Sequence, residues 1–452
     1  MAPARFGTDG VRGVANEELT AELALAIGRA AARVLPAPSF VVGRDTRRSG
    51  PLLQAALSAG LATEGADVID LGVIPTPGVA SVAERRKMPG AMVSASHNPF
   101  GDNGIKLFSL LGTKLPVEVE ADVQRELDSV LADPDRPPRR PTGHGVGRIL
   151  LDHEGADHYR QQLVTAIEGR RLEGLRIVVD CANGAASEFA PDVLTELGAT
   201  VTALHHKPDG TNINEKCGST DPARLCLSVI EHQADLGLAL DGDADRVIAV
   251  DQSGSVVDGD VLLALFALDL SARGRLAGNT VVVTVMTNLG FRLAMESHGI
   301  GVRETDVGDR HVLAALDADG LALGGEQSGH IIFRTQSTTG DGILTGIALA
   351  DLMQRSERSL ADLSTGLVER VPQVLVNVPI PQPERLAECT EVWDAVVQAE
   401  AELGHEGRVL LRPSGTEPLV RVMVEARLEA QANAVAAQLA GIVEAALGQV
   451  GG

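Results

Sequence analysis

The sequence predicts an α/β protein built as three similar α/β units followed by a distinct α+β unit. Two observations predict this. Short β-branched runs alternate with amphipathic runs, a pattern that builds layers around a mostly parallel sheet. The length of 452 residues also exceeds a single core, since domains run to about 100–200 residues each.

The elements follow in chain order. Thr20 is placed to cap a helix whose apolar face is Leu23, Ile27, Ala31 and Val34. Residues 40–43 read as a buried strand, 51–63 as a helix, and 68–71 and 91–93 as further strands. The stretch 133–141 holds four prolines in nine residues, which precludes a regular helix and marks the end of the first unit. A second unit opens near Asp152, with strands at 176–180 and 236–240 and a helix near 191–197. The third opens near Ser253, with strands at 281–285 and 301–304 around a helix at 290–298. Pro372, Pro379, Pro381 and Pro383 mark the last boundary. Beyond it come a strand, a long helix over about 384–403, strands around 408–411 and 419–426, and a closing helix. The expected domains are 1–151, 152–253, 254–369 and 370–452.

Composition excludes several function classes. Asp and Glu total 61 against 39 Lys and Arg, a net charge of −22. That argues against general nucleic-acid binding and against docking on anionic membranes. A phosphorylated small molecule remains compatible, because screening over about 8 Å lets a local Arg/Lys cluster act alone. Aromatics at 2% cannot supply a stacking surface. Residues 1–13 show no apolar signal core, and the longest apolar run, 261–268, is far too short to span a bilayer. Cys181, Cys217, Cys226 and Cys389 form no CxxC pair, so a cytoplasmic, disulfide-free protein is expected.

Four stretches carry chemistry. In the first, Ser94-Ala95-Ser96-His97-Asn98-Pro99 follows an apolar strand and precedes Lys106. It offers a hydroxyl at a loop tip beside a His and near a Lys; serine is a weak nucleophile that needs such help. A Ser/Asn-rich turn would read the same way in isolation. In the second, Asp241-Gly242-Asp243-Ala244-Asp245-Arg246 sets three carboxylates at alternate positions, suited to a hard divalent cation such as Mg²⁺. It is no EF-hand, because Gln252 stands where the bidentate Glu is required and a strand follows.

In the third, Gly324-Gly325-Glu326-Gln327-Ser328-Gly329-His330 combines sugar-reading side chains with a proton-shuttling His. An ordinary glycine-rich hairpin shares the pattern. The fourth, Arg412-Pro413-Ser414-Gly415-Thr416-Glu417-Pro418 with Arg421, can wrap an oxyanion with guanidinium groups, hydroxyls and backbone amides. Two weaker pieces are Arg12 in the glycine-rich loop 6–13 and Gly308 in 305–310. His205-His206 reads as a surface pair, since no third ligand stands at zinc spacing. A nucleophile, a metal cage, a polyol-reading loop and a phosphate clamp, spread over four blocks, point to a cleft between domains.

In this order the stretches resemble the α-D-phosphohexomutase superfamily, from Gly7-Thr8-Asp9-Gly10 through to the loop at 412–418. Gln327, Asn214-Glu215-Lys216-Cys217-Gly218-Ser219-Thr220 and Thr338-Thr339-Gly340-Asp341-Gly342 are similar to its bacterial glucosamine-phosphate branch. Ala244 stands where relatives often carry Gly; both are small, and no functional departure is expected.

The resemblance implies a four-domain phosphohexomutase architecture around a central cleft. It implies that Ser96, rather than Ser94, is phosphorylated, and that one Mg²⁺ per site is held by Asp241, Asp243, Asp245 and the phosphoserine. The expected reaction interconverts glucosamine 6-phosphate and glucosamine 1-phosphate through a hexose 1,6-bisphosphate, which also serves as activator. Arg12 and Arg246 would neutralise the transferring phosphoryl group. Lys106 is the leading base, with His330 the alternative or the acid. His97, Gly308, Glu326 and Ser328 would contact the sugar phosphate. Arg412, Ser414, Gly415, Thr416 and Arg421 would hold the phosphate that is not reacting. The partner is a phosphorylated amino sugar, with no nucleic acid and no membrane, and a homodimer is usual among similar bacterial enzymes. Glucose or mannose phosphates on the same machinery, and a phosphoserine-dependent sugar phosphatase, are the competing readings.

Overall fold

In the computed structural model, which describes residues 5–7, 10–35, 37–133, 140–414 and 417–448, the strands form four sheets. The first has the order Val11–Val14, Asp102–Phe108, Gly90–Val93, Ser39–Arg44, Asp67–Val73, Ile149–Leu151. Its strands alternate their side chains between two apolar layers, as the period of two requires. Phe40 and Val42 pack under the helices Ala21–Val34, Gly50–Thr63 and Val117–Ala132, while Val41 packs under Thr76–Arg86. The cap expected at Thr20 is present: its Oγ1 accepts the Leu23 amide at 3.2 Å.

The second sheet runs Val256–Val257, Val247–Asp251, Leu236–Leu240, Arg176–Asp180, Thr200–Leu204. The third runs Gly301–Thr305, Thr280–Thr284, Leu323–Gly325, Ile331–Phe333. One apolar cluster, from Tyr159 to Leu360, is continuous through both, so these sheets share a core. The fourth sheet, Gln373–Pro379, Leu419–Ala426, Gly407–Pro413, is antiparallel and packs under Thr390–Leu403 and Glu429–Leu447 as a separate cluster. This is the three-plus-one arrangement that the sequence predicts.

The first three sheets are mostly parallel, as expected: each has a parallel core and then turns back through an antiparallel hairpin. One expectation needs correction, because the expected helix over 384–403 is interrupted. Pro383–Glu388 is a tight 3₁₀ turn and the α-helix begins only at Thr390. The Leu386 carbonyl accepts the Cys389 amide at 3.2 Å and the Trp393 indole N–H at 2.9 Å, which takes it out of an α-helical ladder. The proline-rich 134–139 segment lies outside the described residues. Among the described residues, no helix is long and apolar enough to cross a membrane.

Candidate active site

The four motif loops are the turns of four hairpins. Residues 94–101 join Gly90–Val93 to Asp102–Phe108, 241–246 join Leu236–Leu240 to Val247–Asp251, 326–330 join Leu323–Gly325 to Ile331–Phe333, and 414–418 join Gly407–Pro413 to Leu419–Ala426. In the first three, the strand entering the turn is parallel to its other neighbour. These loops therefore emerge at carboxyl ends of parallel strands, where α/β sheets place ligands.

The two serines of the first loop are distinguished by their partners. Ser94 Oγ donates to Asp45 Oδ2 at 2.6 Å and accepts the Ser96 amide at 3.0 Å, so it is committed within the loop. Ser96, at φ +53°, points its Oγ 2.6 Å from Asp241 Oδ2 and 3.3 Å from His97 Nδ1. Gly242 makes this approach possible: a Cβ there would lie 2.6 Å from the Ser96 carbonyl oxygen.

Asp241, Asp243 and Asp245 each bring a carboxylate oxygen within 4.8 Å of the others, and all three are buried. Asp243 Oδ2 accepts from Lys106 Nζ at 2.8 Å and from Thr76 Oγ1 at 2.6 Å. Lys106 Nζ is also 3.5 Å from Asp245 Oδ2. Asp243 Oδ1 and Asp245 Oδ1 are buried and accept no hydrogen bond among the described residues. Burial and the neighbouring Asp245 and Asp243 hold Asp241 well above the usual carboxylate range. Burial acts the same way on Asp245, but Lys106, His330 and Arg246 outweigh it and hold that carboxyl well below. Buried oxygen-only donors with unused lone pairs and excess negative charge fit a hard divalent cation.

Ala244 adopts φ +57°, the left-handed region that favours glycine. Its difference from Gly is therefore backbone strain as well as size, of about 1–2 kcal/mol, a point the sequence reading missed.

Two arginines reach the same place. Arg246 Nη1 lies 3.2 Å from His97 Nδ1, and its amide donates to Asp241 Oδ1 at 3.2 Å. Arg12 sits on Val11–Val14 opposite Gly104. Burial, then Arg246 and Arg12, lower the proton affinity of His97 and favour its neutral form.

On the third sheet, distant stretches meet as the sequence suggested. The Gly308 amide donates to Glu326 Oε1 at 3.1 Å, and Ser328 Oγ is 3.5 Å from Glu326 Oε2. Gly329 is at φ +88°, where a Cβ would be 2.0 Å from the Val247 carbonyl oxygen, so only glycine lets this hairpin dock against the strand that follows the acidic loop. His330 is only 2% exposed. Its Nε2 accepts the Gly340 amide at 3.0 Å, which leaves the proton on Nδ1, 3.7 Å from Asp245 Oδ2. The ring thus backs the acidic loop.

Arg412 and Arg421 are directly opposed partners on neighbouring antiparallel strands. Burial and Arg421 lower the proton affinity of Arg412. Like charges so placed are unfavourable without an anion. The Ser414 amide donates to the Leu419 carbonyl at 2.9 Å, which closes the turn. Gly415, Thr416, Thr8 and Asp9 lie outside the described residues.

The family models for phosphoglucomutase/phosphomannomutase match along the chain: alpha/beta/alpha domain I over 3–132, domain II over 157–254, domain III over 258–371 and the C-terminal domain over 375–442. The chain belongs to the phosphoglucomutase/phosphomannomutase family. It is an isomerase of the phosphohexomutase class. Phosphoglucosamine mutase of Corynebacterium glutamicum is 52% identical over 448 residues, covering 97% of this chain and 98% of its own. Phosphoglucosamine mutase of Salinispora arenicola is 53% identical over 450 residues, covering 98% of each. The crystal structure of a phosphoglucomutase/phosphomannomutase family protein from Burkholderia thailandensis superposes with a TM-score of 0.80 at 26% identity, covering 98% of this chain and 97% of that one.

This phosphoglucomutase/phosphomannomutase site also contains residues that sequence reasoning missed. Arg47 is fully buried and ion-pairs with Asp45 through Nε at 2.9 Å. Its two terminal nitrogens donate to the carbonyls of Ser96 at 2.9 Å, Asn98 at 2.8 Å, Asp102 at 3.1 Å, and Pro99. Asn214, noted only for resemblance, donates to the Ser96 and Asn98 carbonyls at 2.8 and 3.0 Å. Thr76 braces Asp243. A signal existed for the first pair: Arg44-Asp45-Thr46-Arg47-Arg48 is a charged run directly after a buried strand, at the same end of the sheet as the other loops.

Proposed function

We propose that this chain interconverts glucosamine 6-phosphate and glucosamine 1-phosphate through phosphoserine 96, in the cytoplasm and as a homodimer, on the route to amino-sugar cell-wall precursors. The observation that carries the chemistry is Ser96 Oγ, 2.6 Å from a carboxylate of the buried acidic triad. Relatives about half identical over nearly the whole chain, named phosphoglucosamine mutase, support the sugar. For a second copy, the edge strand Ile149–Leu151 offers Ile149 and Leu151 at 51% and 68% exposure.

The residues divide the work. The Ser96 O–P bond breaks as the phosphoryl group passes to the sugar O1, and the O1 hydroxyl proton goes to Lys106, which takes it as the neutral amine after first losing to solvent the proton that pairs it here with Asp243 and Asp245. The hexose 1,6-bisphosphate then turns over, returns its 6-phosphate to Ser96, and glucosamine 1-phosphate leaves. Asp241, Asp243, Asp245 and the phosphoserine would hold one Mg²⁺, which when bound offsets charge on the transferring oxygens. Arg246 and Arg12 face the same group, and neutral His97 orients it by hydrogen bonding. Glu326 and Ser328, with Gly308 behind them, read the sugar hydroxyls in either orientation. Arg412, Arg421, Ser414, Gly415 and Thr416 clamp the other phosphate. A clamp on its own apolar core can open for turnover and close to exclude water.

The test compares kcat/KM for glucosamine, glucose and mannose 6-phosphates, with Mg²⁺ and a hexose 1,6-bisphosphate present. Preference for glucosamine 6-phosphate supports the proposal. Preference for glucose or mannose rejects the sugar, and phosphate release without isomerisation rejects the mutase reaction.

A further inference from the structure

One set of metal-binding side chains is left unused by the reaction above. In sequence, His205 has no partner at zinc spacing. The fold supplies two. Asp180 ends the strand Arg176–Asp180, and His205 follows the neighbouring parallel strand Thr200–Leu204. Cys217 comes from the loop that doubles back over them, where the Asn214 amide donates to the Ala182 carbonyl at 2.9 Å. One ligand atom from each of Asp180, His205 and Cys217 lies within 4.8 Å of the other two. Far from being a surface residue, His205 is packed against a buried carboxylate and a buried thiol.

The geometry within the cluster is that of ligands converging on one point. His205 Nδ1 is 3.0 Å from Asp180 Oδ2. Yet that nitrogen is buried and has no hydrogen-bond partner among the described residues. Asp180 raises the proton affinity of His205, so the pair is ionic when the ring is protonated; with the ring neutral, both atoms are free to turn their lone pairs to one cation. His205 is held at φ +42°, a strained backbone for a residue with a side chain. Asp180 is fully buried, and its oxygens also accept the Ala182 amide at 2.9 Å and the Gly218 amide at 3.1 Å, which fixes its orientation. The His205 side chain retains 28% exposure, so solvent has access on that side for a further ligand.

We propose that Asp180, His205 and Cys217 bind a zinc-class divalent cation, at a second site separate from the Asp241, Asp243 and Asp245 triad. The donor sets sort the ions. The triad is all oxygen and suits a hard ion, whereas sulfur, imidazole nitrogen and one carboxylate suit a borderline-soft one. Burial, then Asp180, push the Cys217 thiol up to about 12; a bound cation supplies the positive charge that lets it ionise. Three protein ligands and a water make the ion exchangeable. Asn214, three residues before Cys217, holds the carbonyls of Ser96 and Asn98, so the ion pins the loop that supports Ser96.

The test titrates Co²⁺ into the full-length protein with the triad saturated by Mg²⁺. The triad has no sulfur, so a near-ultraviolet thiolate-to-cobalt charge-transfer band reports only the second site. The expected result is a band that saturates at one ion per chain and disappears when Zn²⁺ is added. Cys217→Ser should abolish it, His205→Gln should weaken the binding at least tenfold, and Cys389→Ser should leave it unchanged. Absence of the band in the wild-type protein would overturn the proposal however the variants fold. A band that survives in Cys217→Ser would do so too.

Discussion

Ser96 Oγ and Asp241 Oδ2 lie 2.6 Å apart although 145 residues separate them and different sheets carry them. Each is a loop residue at the carboxyl end of a parallel strand. The contact brings a hydroxyl of the first sheet into the buried acidic triad of the second. A phosphate on Ser96 would bring its oxygens to the same carboxylates, and a shared cation would offset both charges. The testable consequences follow from what holds this contact in place.

Arg47 is the residue that fixes the Ser96 loop, through four carbonyls and the buried Asp45. Arg47→Lys keeps the charge opposite Asp45 but loses the fork. A misplaced nucleophile costs on the order of 100-fold, so kcat should fall about that much with KM little changed. Steady-state kinetics on a variant with unaltered circular dichroism checks this. Arg47→Met should instead lose about 3–5 kcal/mol of stability, because Asp45 is left as an unpaired buried charge.

Thr76 braces a triad carboxylate from another domain, with its hydroxyl 2.6 Å from Asp243 Oδ2 and its amide 2.9 Å from the Asp243 carbonyl. Losing such a support typically weakens metal binding by about 10–100-fold. Thr76→Val should therefore shift the Mg²⁺ activation curve by at least about tenfold, and Thr76→Ser should restore it. Equal curves for both variants would remove Thr76 from this role.

The sequence made much of this legible, and the reasons differ by residue. Asp241, Asp243 and Asp245 are local: three carboxylates at alternate positions of one turn need no tertiary information to suggest a cation. The strands at 176–180 and 236–240 were likewise read correctly from continuous apolar runs. Arg47 showed only as part of the charged run 44–48 and Thr76 gave no signal, because their roles depend on which loops the fold brings to them. His205 was misread for the same reason, since its neighbours come from two other segments. Ala244 was judged on size alone, whereas its strain is a backbone property. The helix break at Cys389 escaped notice because the Trp393 indole competes for the Leu386 carbonyl.

Asp260 gives a pH prediction away from the active site. Burial, then the nearby Asp258, raise it from 3.8 to about 7, while the Asn288 amide donates to its Oδ2 at 3.0 Å. With the folded value above the unfolded one, its contribution favours the folded state fully below about pH 4. It is lost as pH rises through about 7, for a total of about 4 kcal/mol. Asp260→Asn removes this titration. The variant's thermal midpoint relative to wild type should therefore rise between pH 4.5 and 8, and a constant difference across that range would contradict the assignment.

Arg421 faces Arg412 across the C-terminal hairpin. Arg421→Ala relieves like-charge repulsion in the ligand-free protein, at the loss of an exposed pair with Glu417 Oε2 at 3.4 Å, and removes the proposed phosphate contact. The expected outcome is an unchanged or higher thermal midpoint, together with a KM for the sugar phosphate raised about tenfold, the equivalent of 1.4 kcal/mol. A lowered midpoint with unchanged KM would make Arg421 a structural residue.

The central claim is that Ser96, and not Ser94, carries the phosphoryl group. The most direct measurement incubates the protein with Mg²⁺ and a hexose 1,6-bisphosphate labelled in its phosphates, then locates the label by peptide mapping. The account predicts label on Ser96, retained in Ser94→Ala, absent in Ser96→Ala, with turnover in the latter down by on the order of 1,000-fold or more. Label on Ser94 or elsewhere, or near wild-type turnover in a folded Ser96→Ala protein, would contradict it.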